Sequence, residues 1–227
     1  MNVLEIDWRK KLGWFAAELL IVVSGVLIAL ALNAWVQGLA ESKKAAEYLT
    51  QFAADLEETE RDLTEVIQYN AASAARIDTL LSLFEVSPPP EDFQIEPLLG
   101  LLLDTPRPLT GTGRALVETG DLRLLSNDSL KAVIVKYVDV SQAYQEERRR
   151  MLFEWISPAY HVVKSQTGYF ARGTHPHAVS PSSALGDPEF YMGVQQLIGA
   201  LNNLMWADGV MRDHVIQVKD AVLREGN

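Results

Sequence analysis

Asp55, Glu58, Asp62 and Glu65 recur at steps of three and four residues, so on a helix they put four carboxylates on one face, the raw material of a di-metal carboxylate centre. Such centres also take a Glu-x-x-His pair from each of two helices, and no histidine follows an acid by three positions in this segment. The face therefore reads as solvated, or as a partner for the basic run Arg148-Arg149-Arg150. His175-Pro176-His177 offers two imidazoles, with Asp187 or His161 as completion, but a proline in a loop leaves their geometry unfixed. Gly111-Thr112-Gly113-Arg114 lacks the length and the lysine of a phosphate-binding loop and reads as a turn in which Thr110 or Thr112 caps a helix. Serines lie near His175 and His177 without a Gly-x-Ser-x-Gly elbow. The expected catalytic, cofactor-binding and metal-ligating sets are empty, no cofactor is expected, and the chain is not read as an enzyme.

The composition sets the frame for that reading. The chain has 227 residues, 48% hydrophobic and 22% charged, which is the make-up of a globular protein rather than a disordered one. Thirty acidic against twenty basic side chains give a net charge of −10, which repels nucleic-acid phosphates and excludes nucleic acid as a partner class. The absence of cysteine removes disulfides, thiol nucleophiles and cysteine-ligated metal sites together.

Between Trp14 and Val36 the clearly polar groups are Glu18, Ser24 and Asn33, and as a helix this stretch rises about 35 Å, enough to cross a hydrocarbon core of about 30 Å. We read residues 14–36 as a transmembrane helix, with Trp14 and Trp35 at the two headgroup boundaries. Arg9, Lys10 and Lys11 stand directly before the span, while Lys43 and Lys44 follow at a distance, diluted by Glu41 and Glu47. This asymmetry predicts a cytoplasmic tail over 1–13 and an extracytoplasmic domain over 37–227. Ala29-Leu30-Ala31 also satisfies a signal-peptide cleavage pattern, but the apolar run continues past it to Val36. Glu18, Val22, Gly25, Ala29 and Asn33 fall on one helical stripe, along which Gly25-x-x-x-Ala29 lets a second backbone approach and Asn33 can hydrogen-bond across. The competing reading leaves Glu18 and Asn33 wet at the two interfaces.

The stretch "GWFAAELLIVVSGVLIALALNAW" resembles the amino-terminal signature of a widespread family of bacterial single-span membrane proteins of uncharacterised function, with Glu18, Gly25, Asn33 and Trp35 at the matching positions. A second stretch, "RALVETGDLRLLSNDSLKAVIVKYV" from Arg114 to Val138, is similar to the same family. The resemblance implies an amino-terminal anchor in the bacterial inner membrane and an all-helical body. It implies no activity.

The body reads as helix throughout. One ladder runs through Leu49, Phe52, Leu56, Thr59, Leu63, Val66, Asn70, Ser73, Ile77, Leu80 and Phe84 and is stopped by Ser87 and Pro88-Pro89-Pro90. A short helix around Ile95 to Leu103 follows, then another short helix ending at Gly120 and a cap at Ser126, Asn127 or Asp128. The next ladder is Leu130, Ile134, Tyr137, Ser141, Tyr144, Arg148, Met151 and Trp155, with Pro158 expected to kink or end it. After a loop over Gly168 to Gly186, Asp187-Pro188-Glu189 opens a last helix carrying Phe190, Val194, Leu197, Leu201, Leu204, Asp208, Met211, Val215, Val218 and Val222. The expected fold is all-α, a transmembrane helix followed by an antiparallel bundle of three long helices (about 39–86, 128–165 and 188–225) and two short ones.

Polar residues interrupt these ladders at Asn70, Ser73, Ser141, Arg148 and Asp208, which predicts a buried polar network that sets register, and a buried Arg148 would need Asp208 or another acid. Two function classes follow. The first is a membrane-anchored interaction module, a structural, assembly or accessory subunit whose partners are the lipid bilayer, other membrane or envelope proteins, or further copies of itself. It predicts an exposed apolar or aromatic patch. The second is a sensory or small-ligand-binding bundle, which predicts a closed pocket near Tyr137, Tyr144, Trp155 and Trp206.

Overall fold

The computed structural model describes residues 8–86, 106–167, 169–170, 173–174 and 185–225, and the side chains of 14–15, 18–86, 106–163 and 185–225 among them. The described residues are helical apart from their connections and a two-residue antiparallel pairing of Tyr169–Phe170 with Gly173–Thr174. The chain divides into two compact units, Met1–Glu47 and Tyr48–Asn227. In the first, helix α1 (Trp8–Leu83) begins with an apolar stretch whose large side chains, from Trp14 to Leu39, are exposed. Among the described residues α1 is the helix long and apolar enough to cross a membrane.

From Tyr48 onward α1 changes character. Phe52, Leu56, Thr59, Leu63, Val66, Asn70, Ser73, Ile77 and Leu80 are buried and the faces between them are wet, the one-stripe burial of an amphipathic helix. The helix closes at Leu83, where Phe84, Glu85 and Val86 donate back to Leu81, Ser82 and Leu83 and tighten the last turn. The prolines expected to stop it and the short helix expected at Ile95 to Leu103 lie outside the described residues.

Residues 106–110 lead into helix α2 (Gly111–Glu118) and are clasped at Leu109. Its N–H donates to Thr59 Oγ1 at 3.0 Å and its carbonyl accepts from the Tyr137 hydroxyl at 3.0 Å, so both backbone groups are satisfied by the flanking helices. Gly113 is buried where an added Cβ would stand 3.1 Å from Phe52 and 3.2 Å from Val138. Thr110 occupies the cap of α2 without a side-chain bond, and Thr112 donates to Asp55 Oδ2 at 2.6 Å instead, so neither threonine caps as the turn reading expected. Gly120, at φ +73°, turns the chain into a 3-10 turn at Asp121–Leu124.

Helix α3 (Asp128–Met151) is capped by Asn127, whose Oδ1 accepts from the N–H groups of Ser129 and Leu130. A π turn at Leu152–Ile156 then joins it to helix α4 (Ser157–Thr167). Pro158 thus does not end the run: one wide turn before it absorbs the lost N–H and the crowding of its ring. The extra residue also moves the buried stripe. Ile156, Ala159 and Val163 take the core positions, Met151 is half-buried, and Trp155, expected inside, is 62% exposed.

Helix α5 (Pro188–Glu225) starts where Asp187 Oδ1 accepts from Glu189 N–H at 2.8 Å, and it buries every member of its expected ladder. Gly193 lets it approach α4 closely, an added Cβ standing 3.1 Å from Val162. The main core joins Ile77 and Leu80 of α1, Ile156, Ala159 and Val163, and residues of α5 from Phe190 to Leu204.

The cap at Asn127 also holds the end of α5, because its Nδ2 donates to Glu225 Oε2 at 2.9 Å. Asn127→Ala is therefore expected to lower unfolding stability by about 1 kcal/mol, read as a reduced denaturation midpoint with an unchanged m-value.

Candidate functional site

The residues expected to make a helix contact in the membrane are Glu18, Val22, Gly25, Ala29 and Asn33, and all lie exposed on α1. A Cβ added at Gly25 would meet nothing within 4 Å. Trp14 and Trp35 are likewise exposed, and Arg9, Lys10 and Lys11 belong to the first turn of α1, their side chains outside the described residues. The large apolar side chains of this stretch, from Trp14 to Leu39, are thus left uncovered within their own unit.

The carboxylate face of α1 is divided among local partners. Asp55 accepts from Gln51 and Thr112, while Glu58 and Asp62 stand 3.7 and 3.8 Å from Arg61. The arginine run does not meet that face: Arg148 turns inward and Arg150 pairs with Glu147 at 2.7 Å, not with Glu146, which accepts from Gln142. Among the described residues no group of three or more histidines and acids is placed to hold a metal. His175 and His177 lie outside those residues.

Charge is instead concentrated inside the second unit. Arg148 of α3 is 1% exposed and Asp208 of α5 is 0% exposed. Arg148 Nη1 donates to Asp208 Oδ1, and the Tyr144 hydroxyl donates to the same oxygen at 2.7 Å. Burial is the strongest influence on the Asp208 carboxyl and raises its pKa above the usual carboxylate value, against the Arg148 charge and the Tyr144 hydrogen bond, which lower it. Burial, followed by the Asp208 charge, pushes the Tyr144 phenol up as well, so it stays a donor. Asn70, Ser73 and Ser141 are buried too, each at a position in the ladders where an apolar residue would serve packing better. Asp208 Oδ2 and Ser141 Oγ have no hydrogen-bond partner among the described residues.

A second polar position was not anticipated. His214 stacks on Tyr137 with ring centroids 6.4 Å apart, and Tyr137 in turn packs edge-on against Phe52 at 5.4 Å. Burial, and secondarily Lys136, hold the His214 imidazole below its usual value. Its position one step off the ladder residue Val215 is the only sequence trace of this role.

No family model, curated protein or solved structure matches this chain.

Removing either buried charge strands the other, so Arg148→Met and Asp208→Leu are each expected to cost about 3–5 kcal/mol. The double variant is expected to be more stable than either single one, a coupling measurable by a double-mutant cycle in urea. His214 gives a pH signature of defined sign. With its folded pKa depressed, its contribution is complete above the ordinary value of 6.5 and is lost as pH falls through the folded value. Thermal unfolding followed across that range should show a shallower loss of stability on acidification in His214→Gln than in the wild type.

Proposed function

We propose that this chain is a membrane-anchored helical interaction module that serves as a structural, assembly or accessory subunit of a larger membrane complex. The observation that carries the reading is the exposed apolar half of α1 joined in one helix to an amphipathic, well-buried half. An all-round apolar helix is built for lipid, and a one-stripe helix for a water-facing domain. The basic tail at Arg9, Lys10 and Lys11 supports a cytoplasmic amino terminus and a periplasmic domain in a bacterial inner membrane, in keeping with the resemblance to bacterial single-span proteins. The stripe through Glu18, Val22, Gly25, Ala29 and Asn33 is the proposed contact with a partner helix, since Gly25 leaves open space for a second backbone.

The domain itself is proposed as an antiparallel bundle. Asn127 at the start of α3 meets Glu225 at the end of α5, Arg148 near the end of α3 meets Asp208, and Glu60 of α1 pairs with Lys219, contacts that support opposed directions for α5 against both. The ligand-binding alternative draws less support. Tyr137 and Tyr144 are spent inside the core on Leu109 and Asp208, whereas Trp155 and Trp206 face outward at 62% and 71% exposure. Those outward tryptophans, with Phe153, match the aromatic surface that the interaction reading calls for.

The test is isolation of the full-length protein from its native membrane in mild detergent, with native mass analysis beside Gly25→Leu. A stoichiometric complex for the wild type that is reduced or lost in the variant is the expected outcome. Recovery as a monomer with a retained small molecule overturns the reading.

A further inference from the structure

A groove of about 620 Å³ opens where the end of α1 meets the start of α5 in the second unit. Its walls combine the carboxylates of Asp78, Glu85 and Asp187 with the rings of Phe84 and Tyr191 and the buried Leu185. The two rings meet edge to face at 5.0 Å, which fixes both and leaves aromatic surface toward the groove. Among the described residues Asp78 and Glu85 have no cationic partner, and no lysine or arginine lines the groove.

The placement of these acids runs against the usual preference at a helix end. The last turn of α1 carries no basic residue, although its unpaired carbonyls amount to a partial negative charge of about half a unit, which cations stabilise. Asp78 and Glu85 add full negative charges to that pole. The opposite pole at the start of α5 is already met by Asp187, which caps Glu189 N–H, and by Glu189 in the first turn. The local field is thus negative, uncompensated by cations among the described residues and lined by aromatic faces, the combination that attracts an ammonium or guanidinium group with an apolar stem.

We propose that this groove docks an arginine- or lysine-bearing segment of a partner polypeptide, which deepens the interaction-module reading and rests on it. A polypeptide is the occupant because the groove is open. Asp78, Ser82, Glu85 and Gln195 are exposed along its rim, so a small free amine would be left largely in water, whereas a side chain on a larger body brings its own cover. Anionic lipid is repelled by the same carboxylates.

The test uses the full-length protein in detergent micelles and a fluorescein-labelled short peptide of alternating arginine and leucine, followed by anisotropy. The Asp78→Asn, Glu85→Gln variant is compared with Glu57→Gln, Glu65→Gln, which removes the same charge from exposed positions farther back on α1. The groove variant is expected to weaken binding about tenfold and the control less than about twofold, with the citrulline counterpart of the peptide failing to bind. Equal weakening by both variants, undiminished binding by the groove variant, equal binding of the citrulline peptide, or no binding by the wild type overturns the proposal. Carrying the groove variant through the native-complex isolation separates the two levels. A failed peptide test with an intact wild-type complex removes the groove alone, whereas a wild type that yields no complex removes both.

Discussion

The second unit is organised around a guanidinium and a carboxylate that have left water together. Arg148 and Asp208 sit on different helices, and each is tolerable in the interior only at the height and rotation where it meets the other. A slip of one turn between α3 and α5 keeps most apolar contacts, because leucine, valine and isoleucine recur along both stripes. It would also leave two bare charges in the core. The pair therefore adds little net attraction while excluding alternatives that packing alone would accept, and Tyr144 sharpens the choice by aiming its hydroxyl at the same oxygen.

The π turn shows how a local covalent constraint becomes a surface property. Pro158 has no N–H to continue the ladder, and the helix widens by one residue just before it. Upstream of the turn the core positions follow Tyr144 and Arg148, and downstream they resume at Ile156, Ala159 and Val163. The displaced residue is a tryptophan, so the cost of accommodating a proline is an aromatic ring left in solvent. The exposure of Trp155 follows from that register change.

α1 changes its surface chemistry along its length. Up to Leu39 its apolar residues are spread around the whole circumference, and from Phe52 they narrow to one stripe with Glu57, Glu58, Arg61 and Glu65 on the wet side. Hydrogen bonds then tie the connections to this helix, from Leu109 N–H to Thr59 Oγ1 and from the Tyr48 hydroxyl to the Asp121 carboxylate.

The all-helical class, the long apolar amino-terminal helix and the inward members of the ladders on α1 and α5 are legible in the order of residues, because hydrophobic period and helix length are local properties. That order also marks Asn70, Ser73, Ser141, Arg148 and Asp208 as polar interruptions of buried stripes, since a polar residue at a core phase stands out in one dimension. Which of Ser126, Asn127 and Asp128 caps α3, that Arg148 takes Asp208 while Arg150 stays on the surface, and that Trp155 faces water emerge with the folded chain. Each of these is set by a partner distant in the chain or by a backbone adjustment that period counting does not register. The groove between Asp78 and Asp187 belongs to the same class: its acids are ordinary surface residues in the sequence, and their shared field arises only when the end of one helix is brought to the beginning of another.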